Sequence, residues 1–498
     1  MFTQIKRLGA DTAVYGISTI VGRFLSFLLV PFYTNVLVPG EYGIVTYVYA
    51  LIAFVNVIYS YGLESAYFKY AATLEKGTAK ETFSTSFLTL CGSSLLLSAL
   101  LLVWRGDIAA RIDLPASLSL VLPCCAGMLA FDAIALVPFA SLRMERKAKT
   151  FALLKLLNIV INVISNIILL VYYRMGVEGV FISGVIASGA TALMLLPTIY
   201  RHLTLSVRPA LLSALIRFGV PTIPSGLAAM VIQVIDRPIL RAFTDDATVG
   251  IYQANYKLGI FMMLIVSMFD YAWRPFFFST AKEVNAKEIF SRVLTYLVLG
   301  MGAVFLFFSL YIDDIVRLSY DGHYLIRSLY WSGLPIVPIV LLGYLFLGIS
   351  TSVTAGLYIE KKTRWLIVGT ATGAVINIVA NYVLIPLYGI YGAAWATLLA
   401  YVGMAVAGYL TVRRFYPVTY EWRRILVVFA CAGVCFAIFL MMRNTWGSML
   451  GREGLFAAKC AVMVLFISLL AAAKFFTRGE IMRMRSVLTS IMNRRILS

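Results

Sequence analysis

Apolar residues in this 498-residue chain come in long unbroken runs of about 20, separated by short polar stretches. The runs show no alternation of apolar and polar positions, so strands with one wet face are excluded. Runs of this length match the thickness of a hydrocarbon bilayer, where every backbone N–H and C=O must be paired within the segment, and continuous runs therefore predict helices rather than a barrel. The pattern predicts 14 spans, at about 14–36, 43–63, 83–104, 117–141, 152–173, 177–200, 214–240, 249–273, 293–312, 328–351, 365–387, 391–412, 425–442 and 455–473. The first is read as a retained span, because Lys6 and Arg7 precede it and no small-residue cleavage site follows. The expected fold class is an all-α polytopic membrane protein.

Charge gives the orientation. Of the 42 Lys and Arg, 29 fall in alternate connections beginning with the N-terminus, 8 in the other connections and 5 within spans. That bias places both termini in the cytoplasm and requires an even number of spans. Composition agrees, with 61% hydrophobic and 13% charged residues and a mean hydropathy of +0.89. The net charge of +19 is scattered in short clusters between apolar runs, which suits an anionic membrane surface and not nucleic acid. Connections stay within about 20 residues and leave no room for a soluble domain. The six cysteines (Cys91, Cys124, Cys125, Cys431, Cys435 and Cys460) lie inside apolar runs and read as small hydrophobes. Neither disulfide nor metal spacing is present, and His202 and His323 fall in connections. No Gly-rich nucleotide loop occurs, so neither an enzyme nor a cofactor is expected.

The chain repeats itself. At an offset of 207, Pro31, Gly43, Ile44, Tyr49 and Leu51 recur as Pro238, Gly250, Ile251, Tyr256 and Leu258. Later, Asn162 and Asn166 followed by Gly176 and Gly179 are matched by Asn377 and Asn381 followed by Gly389 and Gly392. This predicts two six-helix bundles, 1–210 and 211–424, with two additional helices and a cytoplasmic tail at 425–498. Because each half holds an even number of spans, the halves face the same way, related by an axis along the membrane normal with a central cavity between them.

Ionisable groups inside spans are expensive and invite a functional reading. The basic ones are Arg23, Lys155, Arg237, Lys257 and Lys459; the acidic ones are Asp132, Asp236 and Asp270. Gln233, Arg237 and Arg241 recur every four residues, as do Gln253 and Lys257, so each set lies on one helix face. Arg23, Arg237 and Lys257, with Gln233 and Gln253, are read as lining a cavity that receives an anionic or sugar-bearing head group. Asp132 and Asp236 are the candidates for ion coupling. Asp236 could instead tie helices together, with a partner other than adjacent Arg237, because neighbours on a helix diverge by about 100°. Lys155 and Lys459 are expected to snorkel to the interface, Asp270 to be paired, and Tyr252 and Tyr256 to offer rings for stacking on sugars.

The segments LVPFYTNVLVPGEYG at 29–43, SLRMERKAKTF at 141–151, LIRFGVPTIPSGLAAMVIQVIDRPIL at 215–240, VGIYQANYKLG at 249–259 and YAWRPFF at 271–277 resemble the polysaccharide-type (Wzx-type) oligosaccharide flippases. These belong to a superfamily that also holds multidrug and toxin extruders and lipid II flippases. The resemblance implies a MATE-like fold working by alternating access. The implied cargo is an undecaprenyl-diphosphate-linked oligosaccharide, moved from the cytoplasmic to the outer leaflet of a bacterial inner membrane during O-antigen, capsule or exopolysaccharide synthesis. A polysaccharide polymerase and chain-length machinery are the implied partners besides membrane lipids. The alternative in the same superfamily is a cation-coupled multidrug extruder, which calls for an acidic cavity, whereas five basic groups here face three acidic ones.

Overall fold

A computed structural model describes residues 21–482 other than 23, 26, 76, 478 and 481. Thirteen of its helices are long and apolar enough to cross a membrane, and a shorter apolar helix occupies the position of the first expected span. In chain order these are α1 (Phe27–Val36), α2 (Pro39–Thr73), α3 (Ala79–Val103), α4 (Val121–Met144), α5 (Ala148–Tyr172), α6 (Gly176–Met194), α7 (Pro209–Val234), α8 (Asp246–Thr280), α9 (Ala286–Val316), α10 (Ser328–Ile359), α11 (Thr363–Tyr388), α12 (Ile390–Arg413), α13 (Trp422–Thr445) and α14 (Glu453–Ala472). Each of α2 to α14 overlaps one predicted span, and α1 falls in the first, whose positions 14–20 lie outside the described residues, so the chain is an all-α polytopic membrane protein. The one departure among the described residues is a hairpin, β1 (Ser319–Tyr320) against β2 (His323–Tyr324). Its turn, Asp321-Gly322, has positive φ at both residues, as tight hairpin turns require.

Local chemistry fixes the ends. Thr78 and Glu81 form a reciprocal capping box at the start of α3. Pro39 opens α2 while Glu41 accepts from the Val38 amide at 3.1 Å. Asp245 caps α8 by accepting from the Thr248 amide at 2.7 Å. Within α2 the helix breaks at Tyr61-Gly62, where φ turns positive. Past Val234, α7 breaks at Ile235 and resumes as an eight-residue helix, Asp236–Phe243. Pro238 causes this break, since it has no N–H for the carbonyl of Val234 and its ring crowds that turn.

The chain divides into two compact units, Met1–Phe276 with Val316–Phe415, and Phe277–Ile315 with Tyr416–Ser498. In the first, α3, α4 and the C-terminal part of α2 share a core that includes Leu63, Phe83, Leu90, Val137 and Leu142, joined by Leu215 of α7. The repeated residues meet one another in this unit. A Cβ on Gly43 would overlap the Asp246 carbonyl, and one on Gly250 would overlap the Pro39 carbonyl. Since 246 and 250 stand 207 beyond 39 and 43, this is one contact made twice, each copy of the segment seating on the other. Asn166 Nδ2 donates to Asn162 O at 2.8 Å, and Asn381 Nδ2 to Asn377 O at 2.8 Å, so the asparagine pairs also adopt one geometry in both halves.

The second unit packs α9 against α13 and α14 through buried Leu294, Val298, Leu310, Cys435, Phe439, Val462 and Phe466. Lys459 does not snorkel. It is 2% exposed and bonded to Asp314 of α9 at 2.5 Å, because a partner within reach costs less than a lone ammonium in hydrocarbon. Arg443 pairs with Asp313 at 3.4 Å. Near the basic-rich face, Arg424 bonds both Glu421 and Glu480, at 3.0 Å each. Among the described residues no group of three or more His, Cys, Asp or Glu could hold a metal ion, and all six cysteines are free.

Glu480 lies past the end of α14. Burial alone would raise its carboxyl, but hydrogen bonds from Tyr296 and Thr477 and the Arg424 charge hold it down at about 2. A depressed folded-state value stabilises above the ordinary carboxylate range and is lost as pH falls toward 2. Thermal melting in detergent should therefore lose stability between about pH 5 and pH 2, and Glu480→Gln should be less stable at pH 7 and show a shallower acid drop. An unchanged acid profile in that variant would show that Glu480 does not clamp this segment.

Candidate functional site

A buried polar cluster of the first unit forms where α7 breaks. Asp236 and Arg237 are 2% and 4% exposed. Tyr252 of α8 donates to Asp236 Oδ2 at 2.5 Å, and Arg237 Nη1 donates to Asp236 Oδ1 at 2.5 Å. Neighbouring residues thus do pair, contrary to the expectation from an unbroken helix. The new helix starts at Asp236, so its carboxylate folds back over the first turn and accepts from the Arg237 amide at 3.0 Å. Arg237 reaches back in the same direction, to the Gln233 carbonyl one turn earlier, and the two side chains meet at that end.

The remaining guanidinium donors are also engaged. Nε and Nη2 of Arg237 both donate to Gln253 Oε1, at 3.2 and 3.1 Å. Its plane lies 4.4 Å from the ring centroid of Tyr256 and 5.7 Å from that of Tyr252. A desolvated cation over an aromatic ring gains about 2 kcal/mol. Tyr344 of α10 donates to the Tyr256 hydroxyl at 3.3 Å and is itself packed on Tyr401 of α12, with ring centroids 5.9 Å apart. Tyr252 and Tyr256 are therefore buried partners of the Asp236–Arg237 pair and not free stacking surfaces. Tyr344 and Tyr401 carry no spacing signal in the sequence, and only the packing of α10 and α12 brings them in.

Lys257 and Gln233 behave differently, for both are exposed, and Gln253 is half-buried. Their position decides what they are exposed to. On α8, Gly250, Lys257 and Phe261 follow at intervals of seven and four and share one stripe. Gly250 presses on α2, and Phe261 meets Phe27 of α1 edge-on with centroids 5.4 Å apart. Lys257 is thus exposed between two points where its stripe touches the N-terminal half, within Coulombic range of Arg237. On α7, Gly226 packs on Val57 of α2, and Gln233 is two turns further along the same stripe.

Asp132 is not part of this group. It sits on α4, exposed, and accepts from Ser188 of α6 at 2.8 Å. Lys155 is exposed with its ammonium 4.3 Å from the Phe139 ring centroid, and Asp270 pairs with Arg274 at 3.0 Å. Arg23 lies outside the described residues.

The basic-poor face of the first unit is closed. Besides the Gly43 and Gly250 contacts, Tyr330 donates to the Leu37 carbonyl at 3.0 Å and Asn35 Nδ2 to the Tyr324 carbonyl at 2.9 Å. Arg241 donates to the carbonyls of Ile112 and Asp113, at 2.5 and 3.0 Å, and to Asp246 Oδ1 at 2.6 Å, lying 4.2 Å from the Tyr47 ring centroid.

Fold and site together define a polytopic helical protein whose two halves close on one face around polar, partly cationic stripes. The chain belongs to the family of polysaccharide biosynthesis proteins, whose sequence profile matches residues 34–325, more than half its length. The family expectation drawn from the motifs between 29 and 277 is thereby met. Among solved structures, a lipid II flippase, MurJ, in an inward closed conformation matches with a TM-score of 0.68 and 15% identity over 92% of this chain and 98% of that one. An inward-facing multidrug resistance MATE family transporter matches with 0.61 and 14% identity over 82% and 95%, and an outward-facing one with 0.57 and 15% identity over 85% and 98%. At these identities the likeness establishes a shared, MATE-like fold. No curated protein sequence matches the chain.

Removing one member of the Asp236–Arg237 pair leaves a buried charge. Asp236→Ala should lower stability by about 3 kcal/mol, while Asp236→Ala with Arg237→Met recovers more than half of it. Thermal melting of the purified variants in detergent measures this, and additive losses would show that the two groups are not coupled.

Proposed function

We propose that the chain is a flippase for a diphosphate-linked lipid oligosaccharide, with Lys257, Gln233 and Gln253 lining the space between the halves through which the head group passes. The observation that carries this reading is the exposed ammonium of Lys257, held on the stripe that faces the N-terminal half while the basic-poor face is shut. A phosphate-bearing head group needs a cation and acceptors sheltered from acyl chains, and this stripe supplies them. Arg237 is occupied by Asp236, Gln233 and Gln253 in this state and acts on the cargo through its neighbours. Arg23 is the second candidate cation by sequence.

By the positive-inside bias the closed face is the outer one in this reading. Both termini are cytoplasmic in this reading, and the membrane is a bacterial inner membrane. The cargo is an undecaprenyl-diphosphate-linked oligosaccharide destined for O-antigen, capsule or exopolysaccharide, handed on to a polymerase and chain-length machinery. A cation-coupled drug extruder is disfavoured because Lys257, exposed on the stripe that faces the N-terminal half, is basic and both oxygens of Asp236 are occupied. Asp132, exposed in the N-terminal half with one hydrogen bond, is the proposed ion-coupling group.

Transfer of labelled undecaprenyl-diphosphate-linked glycan across proteoliposome leaflets tests this. Lys257→Ala should slow transfer about 10-fold or more, as loss of one charge-assisted contact costs about 1.5–3 kcal/mol, and Lys257→Arg should retain most of it. Transfer at the parent rate in a Lys257→Ala, Arg23→Ala variant would overturn the assignment, and efflux of a cationic dye by the parent would favour the extruder.

A further inference from the structure

We propose that the short helix Asp236–Phe243 is a lever that couples an anion bound beside Lys257 to release of the closed face, with Arg237 and Arg241 as its two working ends. The identity of the anion rests on the reading above; the lever itself does not.

The helix is mechanically distinct. Pro238 leaves the carbonyl of Val234 without its helical partner, so the junction at Ile235 is held by one bond fewer than a continuous helix and is where the eight residues can tilt or turn against α7. Arg237 and Arg241 are four residues apart, on one face and about 6 Å apart along the axis. Any movement of the helix therefore displaces both guanidinium groups together.

The two ends touch different things. Arg237 is held by Asp236, the Gln233 carbonyl and Gln253, and Gln253 is one turn from exposed Lys257. Arg241 is held by Asp246 and by the carbonyls of Ile112 and Asp113, in the connection between α3 and α4 of the other half. Asp246 is also the residue whose carbonyl seats on Gly43. Loosening Arg241 thus acts directly on the crossing that shuts this face.

An anion at Lys257 provides the trigger. Arg237 directs Nε and Nη2 at one neutral amide oxygen, and a phosphate oxygen is the stronger acceptor. Once the guanidinium turns toward the anion, Asp236 keeps Tyr252 and the Arg237 amide but loses its counter-charge, and a buried carboxylate without one is costly. Rotation of the helix relieves that cost and draws Arg241 off the carbonyls of Ile112 and Asp113. Binding energy specific to the released state is what shifts the population.

The test uses a reporter thiol at Val249, which is fully buried beside the crossing, introduced as Val249→Cys in a variant whose six native cysteines are replaced. The full-length protein is reconstituted in vesicles with the basic-poor face outward and labelled with an impermeant maleimide. The probes are farnesyl diphosphate, farnesyl monophosphate and farnesol. The reporter should label slowly, and Arg241→Ala should speed labelling about tenfold without any probe. Asp236→Asn should do the same although it lies away from the crossing, with Tyr252→Phe as the milder variant should that protein fail to insert. Arg241→Lys should restore slow labelling in part. Labelling at the parent rate in both Asp236→Asn and Tyr252→Phe, or in Arg241→Ala, overturns the lever. In the parent, farnesyl diphosphate should accelerate labelling more than the monophosphate, with farnesol inert and Lys257→Ala abolishing the response. If the probes do nothing while the ligand-free variants label fast, the lever stands and the anion reading fails.

Discussion

A guanidinium in hydrocarbon must find all of its partners inside the protein, and Arg237 shows how much structure that demand organises. One carboxylate, one backbone carbonyl, one amide and two aromatic faces surround it. Those groups come from both sides of the α7 break and from α8, and Tyr256 is in turn held by Tyr344 of α10. A single charge thus ties together both segments of the broken helix and two of its neighbours. The same rule governs Lys459, where α14 is pinned to α9 by Asp314.

How much of this is legible in the sequence depends on the range of the interaction. The spans are readable because bilayer thickness sets their length and backbone pairing forces them into helices, two constraints that act on each segment alone. The duplication is readable because Gly43 and Gly250, like the asparagine pairs, keep the same residue for the same contact. The Asp236–Arg237 pair is not, because the rule that neighbours diverge assumes a continuous helix and Pro238 interrupts this one. Its consequence, a helix that begins at Asp236, needs the proline to be weighed against the pairing geometry, and sequence spacing alone does not do that. Tyr344, Tyr401 and the Asp314 partner of Lys459 lie 57 or more positions from the residues they serve, and nothing in the pattern links them.

The halves have kept a common frame but not a common charge. At the positions of Asp236, Arg237, Gln253 and Lys257, 207 residues earlier, stand Leu29, Val30, Thr46 and Ala50. Tyr256 alone of the cluster has its like, in Tyr49, which is stacked on Phe181 with centroids 5.2 Å apart. The buried Asp236–Arg237 cluster therefore belongs to the C-terminal half, and Asp132 of the N-terminal half stands apart from it with its bond from Ser188.

The reciprocal seat of Gly43 and Gly250 has a consequence for how such a duplicated chain can change. Each glycine makes room for a carbonyl from the other copy's segment, four residues before its glycine. A methyl group at either position would lift both helices, so neither copy can drift here without the other. Elsewhere the two segments carry different side chains, yet at this crossing they share one pivot, much as two differently ground blades share one rivet.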